Sequence, residues 1–150
     1  MNPEDAACNT EPAGSDAGIN TFSSMRDAAI DRLVLDKLNT LVARGSGEPF
    51  AVRAARLYLK TSASLVASME AGHAAQDTKA VYFAVHTLKS SSNSLGARIL
   101  GRMAADLETL THRGTLDGAA SQVEELSREY RRVCNELNEF IDELTREISA

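Results

Sequence analysis

The chain has 150 residues, 43% hydrophobic, 25% charged and only 5% aromatic, with no Trp and a net charge of −5. That balance is the one expected of a single soluble globular domain, and it disfavours a β-sandwich, which draws on aromatic and β-branched side chains. Four acids (Glu4, Asp5, Glu11, Asp16) fall in residues 1–24, so the remainder is close to neutral at −1 and gives no general argument for nucleic-acid binding.

Residues 1–24 mix Pro, Gly, Asn, Ser, Thr and Ala with few large apolar side chains. Such a segment cannot bury enough surface to offset its ordering entropy, and it is expected to be a flexible acidic tail or linker. It lacks the basic start and apolar stretch of a signal peptide. No apolar run approaches the roughly 20 residues that span a bilayer. The expected setting is therefore the cytoplasm, without membrane insertion. Cys8 and Cys134 have no metal-ligand spacing, and no disulfide is expected.

Residues 25–150 are expected to form one domain built from helices. The first is expected from about Asp27 to Ala43, with Ile30, Leu33, Val34, Leu38, Leu41 and Val42 as its apolar set, ending at Gly45-Ser46-Gly47. Pro49 suits the first turn of the second helix. There Phe50, Ala54, Leu57, Tyr58, Thr61, Leu65 and Met69 are spaced by three and four, and Gly72 is expected to stop it. Asp77 is a good N-cap for the third helix. Its inner stripe is Val81, Ala84, Val85, Leu88, Ser91 or Ser92, and Leu95, with Gly96 as its break.

A fourth helix carries Ile99, Leu100, Met103, Leu107 and Leu110 and stops near Gly114. Thr115 or Asp117 caps the last, which runs from Asp117 to about Ile148. Val123, Leu126, Tyr130, Val133, Leu137, Phe140 and Leu144 give it a seven-residue repeat. At 1.5 Å per residue it reaches roughly 45 Å, beyond its shorter partners, so its end is free to pack on the first helix or on something else. Single apolar stripes joined by short links predict an all-α fold. Its form is an antiparallel up-down-up-down four-helix bundle with an additional N-terminal helix and a long C-terminal helix.

Chemistry centres on the histidines. His73 follows Gly72 in an expected turn, and His112 lies in the last turn of a helix, one turn after Glu108. Both fit solvated surface imidazoles. His86 differs. At 100° per residue it lies about 160° from Leu88, on the outer face of the third helix, with Tyr82, Phe83, Lys89, Ser90 and Asn93 on the same side. Exposed aromatics beside a polar centre mark a partner surface.

A metal site would want a ligand one turn from His86, but the residues there are Lys89 and Ser90, so no metal site is expected. Serine-nucleophile chemistry would want an orienting acid, and none lies nearby in sequence. An imidazole that itself takes up an anionic group fits better. Free imidazole side chains titrate near about 6.5, so such a ring is largely a neutral nucleophile at neutral pH. Lys89 could neutralise a phosphoryl group on that ring. Between Asp77 and Asp106 there is no carboxylate, while Lys79, Lys89, Arg98 and Arg102 fall inside, which suits an acidic partner pocket.

The stretch His86-Thr-Leu-Lys-Ser-Ser-Ser-Asn-Ser-Leu-Gly96-Ala97 resembles the signature of the histidine-containing phosphotransfer (HPt) domain family of bacterial phosphorelays. That signature has His, Lys three later, a small residue at four and Gly at ten, the places of His86, Lys89, Ser90 and Gly96. The family often has Gly where this chain has Ser90, which is still small. The resemblance covers about Ile30 to Leu144, including Phe50, Leu57 and Tyr58, the capping Asp77, and Leu107-Glu108.

The resemblance implies that His86 accepts a phosphoryl group from a receiver-domain aspartyl phosphate and passes it to another receiver's aspartate. Lys89 would stabilise that group and Gly96 would serve the backbone. It also implies receiver domains of a hybrid sensor kinase or a response regulator as partners, with no ATP site, and with Mg²⁺ supplied by the receiver rather than held here. Tyr82, Phe83, Ser90 and Asn93 are the expected docking residues, the aromatics and Asn93 from the helical angle alone. The expected state is a monomer.

Two rivals stand beside this. One is a histidine kinase dimerisation domain, although such sites commonly place an acid directly after the His, where this chain has Thr87, and no Gly-rich nucleotide lid is present. The other is a non-catalytic helical module that binds signalling partners, or dimerises, through the long heptad stripe.

Overall fold

The computed structural model describes residues 28–41 and 47–149. The expected tail over residues 1–24 lies outside them, as do Asp27, Val42, Ala43, Gly45 and Ser46. Every element among the described residues is an α-helix: α1 (Arg32–Leu41), α2 (Phe50–Ala74), α3 (Thr78–Leu95), α4 (Arg98–His112) and α5 (Ala119–Ser149). Helices α2 to α5 form a closed ring in which each packs on its two neighbours, and α1 lies across α2 and α3. This is the expected four-helix bundle with one extra helix at the front. None of the described helices is long and apolar enough to cross a membrane.

Helix α1 starts later than expected because Asp31 caps it. The Asp31 carboxylate accepts the Leu33 amide at 3.0 Å, and side-chain acceptance of an early helical N–H marks a helix start. Ile30 is buried ahead of the helix rather than in it. The expected inward Leu33 faces solvent, and Leu35 fills the core instead.

Helix α2 has its stripe rotated from the expected one. Ala51, Val52, Ala55, Tyr58, Ser62, Val66, Met69 and Gly72 face inward, while Leu57 and Thr61 are exposed. Half of these inner residues are small (Ala51, Ala55, Ser62 and Gly72), and at Gly72 the neighbouring helix approaches closely. Gly72 does not stop α2, which runs on to Ala74. A Cβ at Gly72 would sit 3.0 Å from the Ala80 Cβ and 3.2 Å from the Val81 nitrogen, so its bare backbone lets the start of α3 pack against it. His73 accordingly sits in the last helical turn. Pro49 is one residue outside α2, its carbonyl accepting the Val52 and Arg53 amides at 3.1 Å.

The third stripe is as expected: Val81, Ala84, Val85, Leu88, Ser92 and Leu95 are buried, with Ser92 rather than Ser91 inside. Asp77 caps α3 by accepting the Ala80 amide at 3.1 Å. Gly96 ends it at φ 95°, a left-handed conformation open to glycine. Its carbonyl accepts the Asp31 amide at 2.9 Å, and a Cβ there would meet the Asp31 carbonyl oxygen at 3.0 Å.

Helix α5 buries Val123, Leu126, Val133, Leu137, Phe140 and Ile141, with Tyr130 and Leu144 half-buried. It begins at Ala119 after Gly118; Thr115 acts in the preceding loop, accepting the Asp117 amide at 3.0 Å. The far end of α5 meets the chain that leads into α1. The Glu136 carboxylate accepts the Ala29 and Ile30 amides at 3.1 and 2.9 Å. The Arg32 guanidinium pairs with Glu143 at 2.6 Å and lies over the Phe140 ring.

Two hydroxyl pairs cross the core. Tyr58 meets Ser92 at 2.8 Å, and Ser62 meets Tyr130 at 2.9 Å. Buried polar atoms cost free energy unless paired, so these pairs fix the register of α2 against α3 and α5. Burial pushes the Tyr130 hydroxyl up to about 12 and the Tyr58 hydroxyl further in the same direction. Both are neutral donors at any ordinary pH.

Candidate functional site

The floor of the site is α3, and its fixed points are the buried Val85 and Leu88 on either side of His86 in sequence. With those side chains in the core, a helix of 3.6 residues per turn must turn residue 86 outward. The His86 side chain is 54% exposed. Lys89 stands one turn on and is 34% exposed, and Ser90 is exposed above the ring.

The residue that joins them comes from α4. Glu108 is held by the buried Leu107 beside it, and its own side chain is only 15% exposed. His86 Nδ1 lies 2.5 Å from Glu108 Oε2, and Lys89 Nζ donates to Glu108 Oε1 at 2.7 Å. One carboxylate thus serves both groups, one on each oxygen. The Lys89 hydrogen bond, then that of His86, holds the Glu108 carboxyl below the usual carboxylate range. An ionised carboxylate only accepts hydrogen bonds, so Nδ1 carries the proton in this pair. The Nε2 lone pair then points away from Glu108.

An aromatic group closes one side. The Tyr82 ring stacks on the His86 imidazole with centroids 5.7 Å apart and planes 17° from parallel. Phe83 meets Tyr82 edge-on and is 64% exposed. His112 comes in from the end of α4, its ring 5.9 Å from that of Tyr82. The Tyr82, Phe83 and His112 rings, with Thr78, Lys79, Thr111 and Gly114, line a groove of about 580 Å³. Two turns beyond His86 along α3, Asn93 lies over Gly101, where a Cβ would run into the Asn93 amide. There Asn93, Arg98, Gly101, Arg102 and Ala105 line a second groove of about 370 Å³. Arg98 also reaches Asp31 at 3.3 Å.

The structure therefore gathers His86, Lys89, Tyr82, Phe83 and Ser90 on one face, with Asn93 further along it. Gly96 is not part of that face; it ends α3 and receives α1. Sequence reasoning missed Glu108 as a partner because it searched along one helix. A signal existed: residues 86 and 108 lie symmetrically about Ala97, and in an antiparallel hairpin equidistant residues meet. The carboxylate-free window holds along the sequence, through α3 and the first half of α4, but in space Glu108 from the second half of α4 brings an acid to its centre. His112 is exposed as expected, but it belongs to the aromatic group rather than standing by itself.

The Hpt domain family matches residues 53–148, most of the chain. The chain belongs to the Hpt domain family. Its part in phosphorelays is histidine phosphotransfer. The bundle is also similar to two solved Hpt structures. Histidine-containing phosphotransfer protein B (HptB) from Pseudomonas aeruginosa PAO1 superposes with a TM-score of 0.69 at 23% identity, covering 77% of this chain and 96% of that one. MtHPt2, a histidine-containing phosphotransfer protein from Medicago truncatula, gives 0.66 at 17% identity over 86% and 87%. At these identities the likeness is one of fold. No curated protein matches the chain. The Hpt match begins at Arg53 in α2, so α1 stands outside it.

Proposed function

We propose that His86 is the phosphoryl carrier of this Hpt domain, accepting from the aspartyl phosphate of one receiver domain and donating to the aspartate of another. The observation that carries this reading is the His86 ring itself, half-exposed, with Nδ1 tied down and Nε2 turned away from that tie. In the forward step the Nε2 lone pair forms a bond to phosphorus as the aspartyl O–P bond breaks. The electron pair of that bond leaves on the receiver's carboxylate. The reverse step returns the group to a second aspartate by the same exchange.

Lys89 is the cation nearest the ring along α3, and its role is to offset charge on the phosphoryl oxygens. The receiver brings Mg²⁺. Tyr82 and Phe83 offer the partner an apolar seat beside the ring, and Ser90 is small enough to leave the approach open. Asn93 lies on the same face, next to two arginines that suit acidic partner side chains. Burial of the α5 heptad side chains inside the bundle supports a monomer over dimerisation through the last helix.

The test is incubation with a phosphorylated receiver. The expected product is an acid-labile, base-stable phosphate on the wild-type chain and none on His86→Gln. Incubation with ATP alone is expected to give no label. Undiminished labelling of His86→Gln would reject the assignment, and labelling by ATP alone would favour a kinase domain.

A further inference from the structure

We infer that the acidic N-terminal residues of this chain dock in the basic groove between α3 and α4 and so screen the approach to His86. The docking stands on the groove and on where the chain enters the bundle; the screening rests on the relay reading above. The groove, of about 370 Å³, is lined by Asn93 from α3 and by Arg98, Gly101, Arg102 and Ala105 from α4. Its cations are Arg98 and Arg102, one turn apart and both exposed. Arg98 leans on Asp31 at 3.3 Å and is still 69% exposed. Arg102 has no ion-pair partner among the described residues. The acids closest along the chain and in space are Asp31, already engaged by Arg98, and the exposed Asp106 one turn beyond Arg102.

The occupant is named by charge and by attachment. Residues 1–24 carry Glu4, Asp5, Glu11 and Asp16 and no Lys or Arg. They join the bundle beside this groove. Ala29 and Ile30 are buried, with their amides held by Glu136, and the Asp31 amide donates to the Gly96 carbonyl at 2.9 Å. That is the α3–α4 turn, and Arg98 is the first residue of α4. Asp16 precedes Ala28 by 12 residues, which extend to at most about 40 Å, whereas the groove runs only about 10 Å along α4. The acids therefore reach it with length to spare. Exposed ion pairs are individually weak, but a tether turns their formation into an intramolecular event at an effective concentration in the millimolar range.

The consequence follows from position. Asn93 lies two turns from His86 on the same face of α3, about 10 Å along the helix. Acids lodged between them and the arginines occupy the cations that suit acidic partner side chains. They also set like charge against an acidic partner pocket. A receiver must displace them to seat fully.

The test uses the intact chain with Glu4→Gln, Asp5→Asn, Glu11→Gln and Asp16→Asn made together, a variant that leaves the described bundle untouched. The first readout is the amide NMR spectrum. The resonances of Asn93, Arg98, Gly101, Arg102 and Ala105 are expected to shift between wild type and variant while those of α2 and α5 stay in place. Wild type at about 1 M salt, where screening shortens to about 3 Å, is expected to approach the variant. The second readout is labelling. Neutralising the acids is expected to lower the KM for a phosphorylated receiver by about two- to fivefold, the scale of one or two exposed ion pairs. Labelling by phosphoramidate, a small donor that needs no docking surface, is expected to be unchanged. Groove resonances that do not move, shifts spread evenly over the bundle, or an unchanged KM would overturn the inference. Unmoved groove resonances together with weaker receiver labelling in Arg102→Glu would give the groove to an acidic surface of the receiver instead. Absence of labelling by every receiver, with the groove shifts present, would overturn the relay reading and leave the docking standing.

Discussion

At the scale of single residues, the proposed function separates chemistry from docking. Lys89 and Phe83 test the two halves. Lys89→Ala removes one donor to Glu108, a contact near the surface of the kind worth about 0–1 kcal/mol, so the melting temperature should move by only a few degrees. Labelling from a phosphorylated receiver should nevertheless slow; a collapse in melting temperature would make Lys89 structural instead. Phe83→Ala removes an exposed ring and should weaken receiver-dependent labelling through a higher KM while leaving labelling by phosphoramidate unchanged. An equal loss with both donors would move Phe83 from docking to ring support.

Acid sensitivity belongs to this scale too. The Glu108 carboxyl is held below its ordinary range, chiefly by Lys89 and next by His86. A depressed carboxyl contributes stability that is complete above its unfolded value and disappears as pH falls through its folded value. The difference in urea midpoint between wild type and Glu108→Gln should therefore be flat above about pH 5 and shrink in acid. A difference that grows in acid would contradict the ion pair.

At the scale of elements, helix contacts are governed by what the side chains lack as much as by what they bury. Gly72→Ala would place a Cβ 3.0 Å from the Ala80 Cβ and 3.1 Å from a Val81 methyl. Overpacking of this kind costs about 1–3 kcal/mol, and denaturant unfolding should show a lower midpoint with the slope unchanged. Leu88→Ala, on the inner side of α3, should cost about 2–5 kcal/mol through the cavity it leaves. The contrast between Leu88 and its neighbour Lys89 is the element's division of labour, one residue securing α3 and the next reaching Glu108 at the surface.

For the whole molecule, the decisive arrangement is the return of α5 to the segment before α1. Glu136 caps the Ala29 and Ile30 amides, and Arg32 bridges to Glu143 and Phe140. Since α1 also receives Gly96 at the α3–α4 turn, it clips one end of the bundle. Glu136→Ala should free this clip. Amide hydrogen exchange is expected to speed up over residues 28–41 while α3 stays protected, and equal loss of protection throughout would show that the clip is part of the global fold. With the α5 stripe buried in the bundle, sedimentation should report a monomer.

The sequence by itself determined the helix count among the described residues, the inner stripe of α3 and the outward direction of His86. These follow from a local period, because a helix fixes side-chain direction relative to its own buried residues. It misjudged Leu33, Leu57 and Gly72, where the winning face depends on how closely a neighbouring helix approaches. Only the tertiary structure decided that Glu108 completes the site, that His112 joins Tyr82, and that the end of α5 holds the approach to α1. Each joins residues on separate elements, and their separation along the chain carries no period to show it. What brings them together is the burial of apolar stripes, which sets the helices side by side and so fixes which polar side chains meet across them.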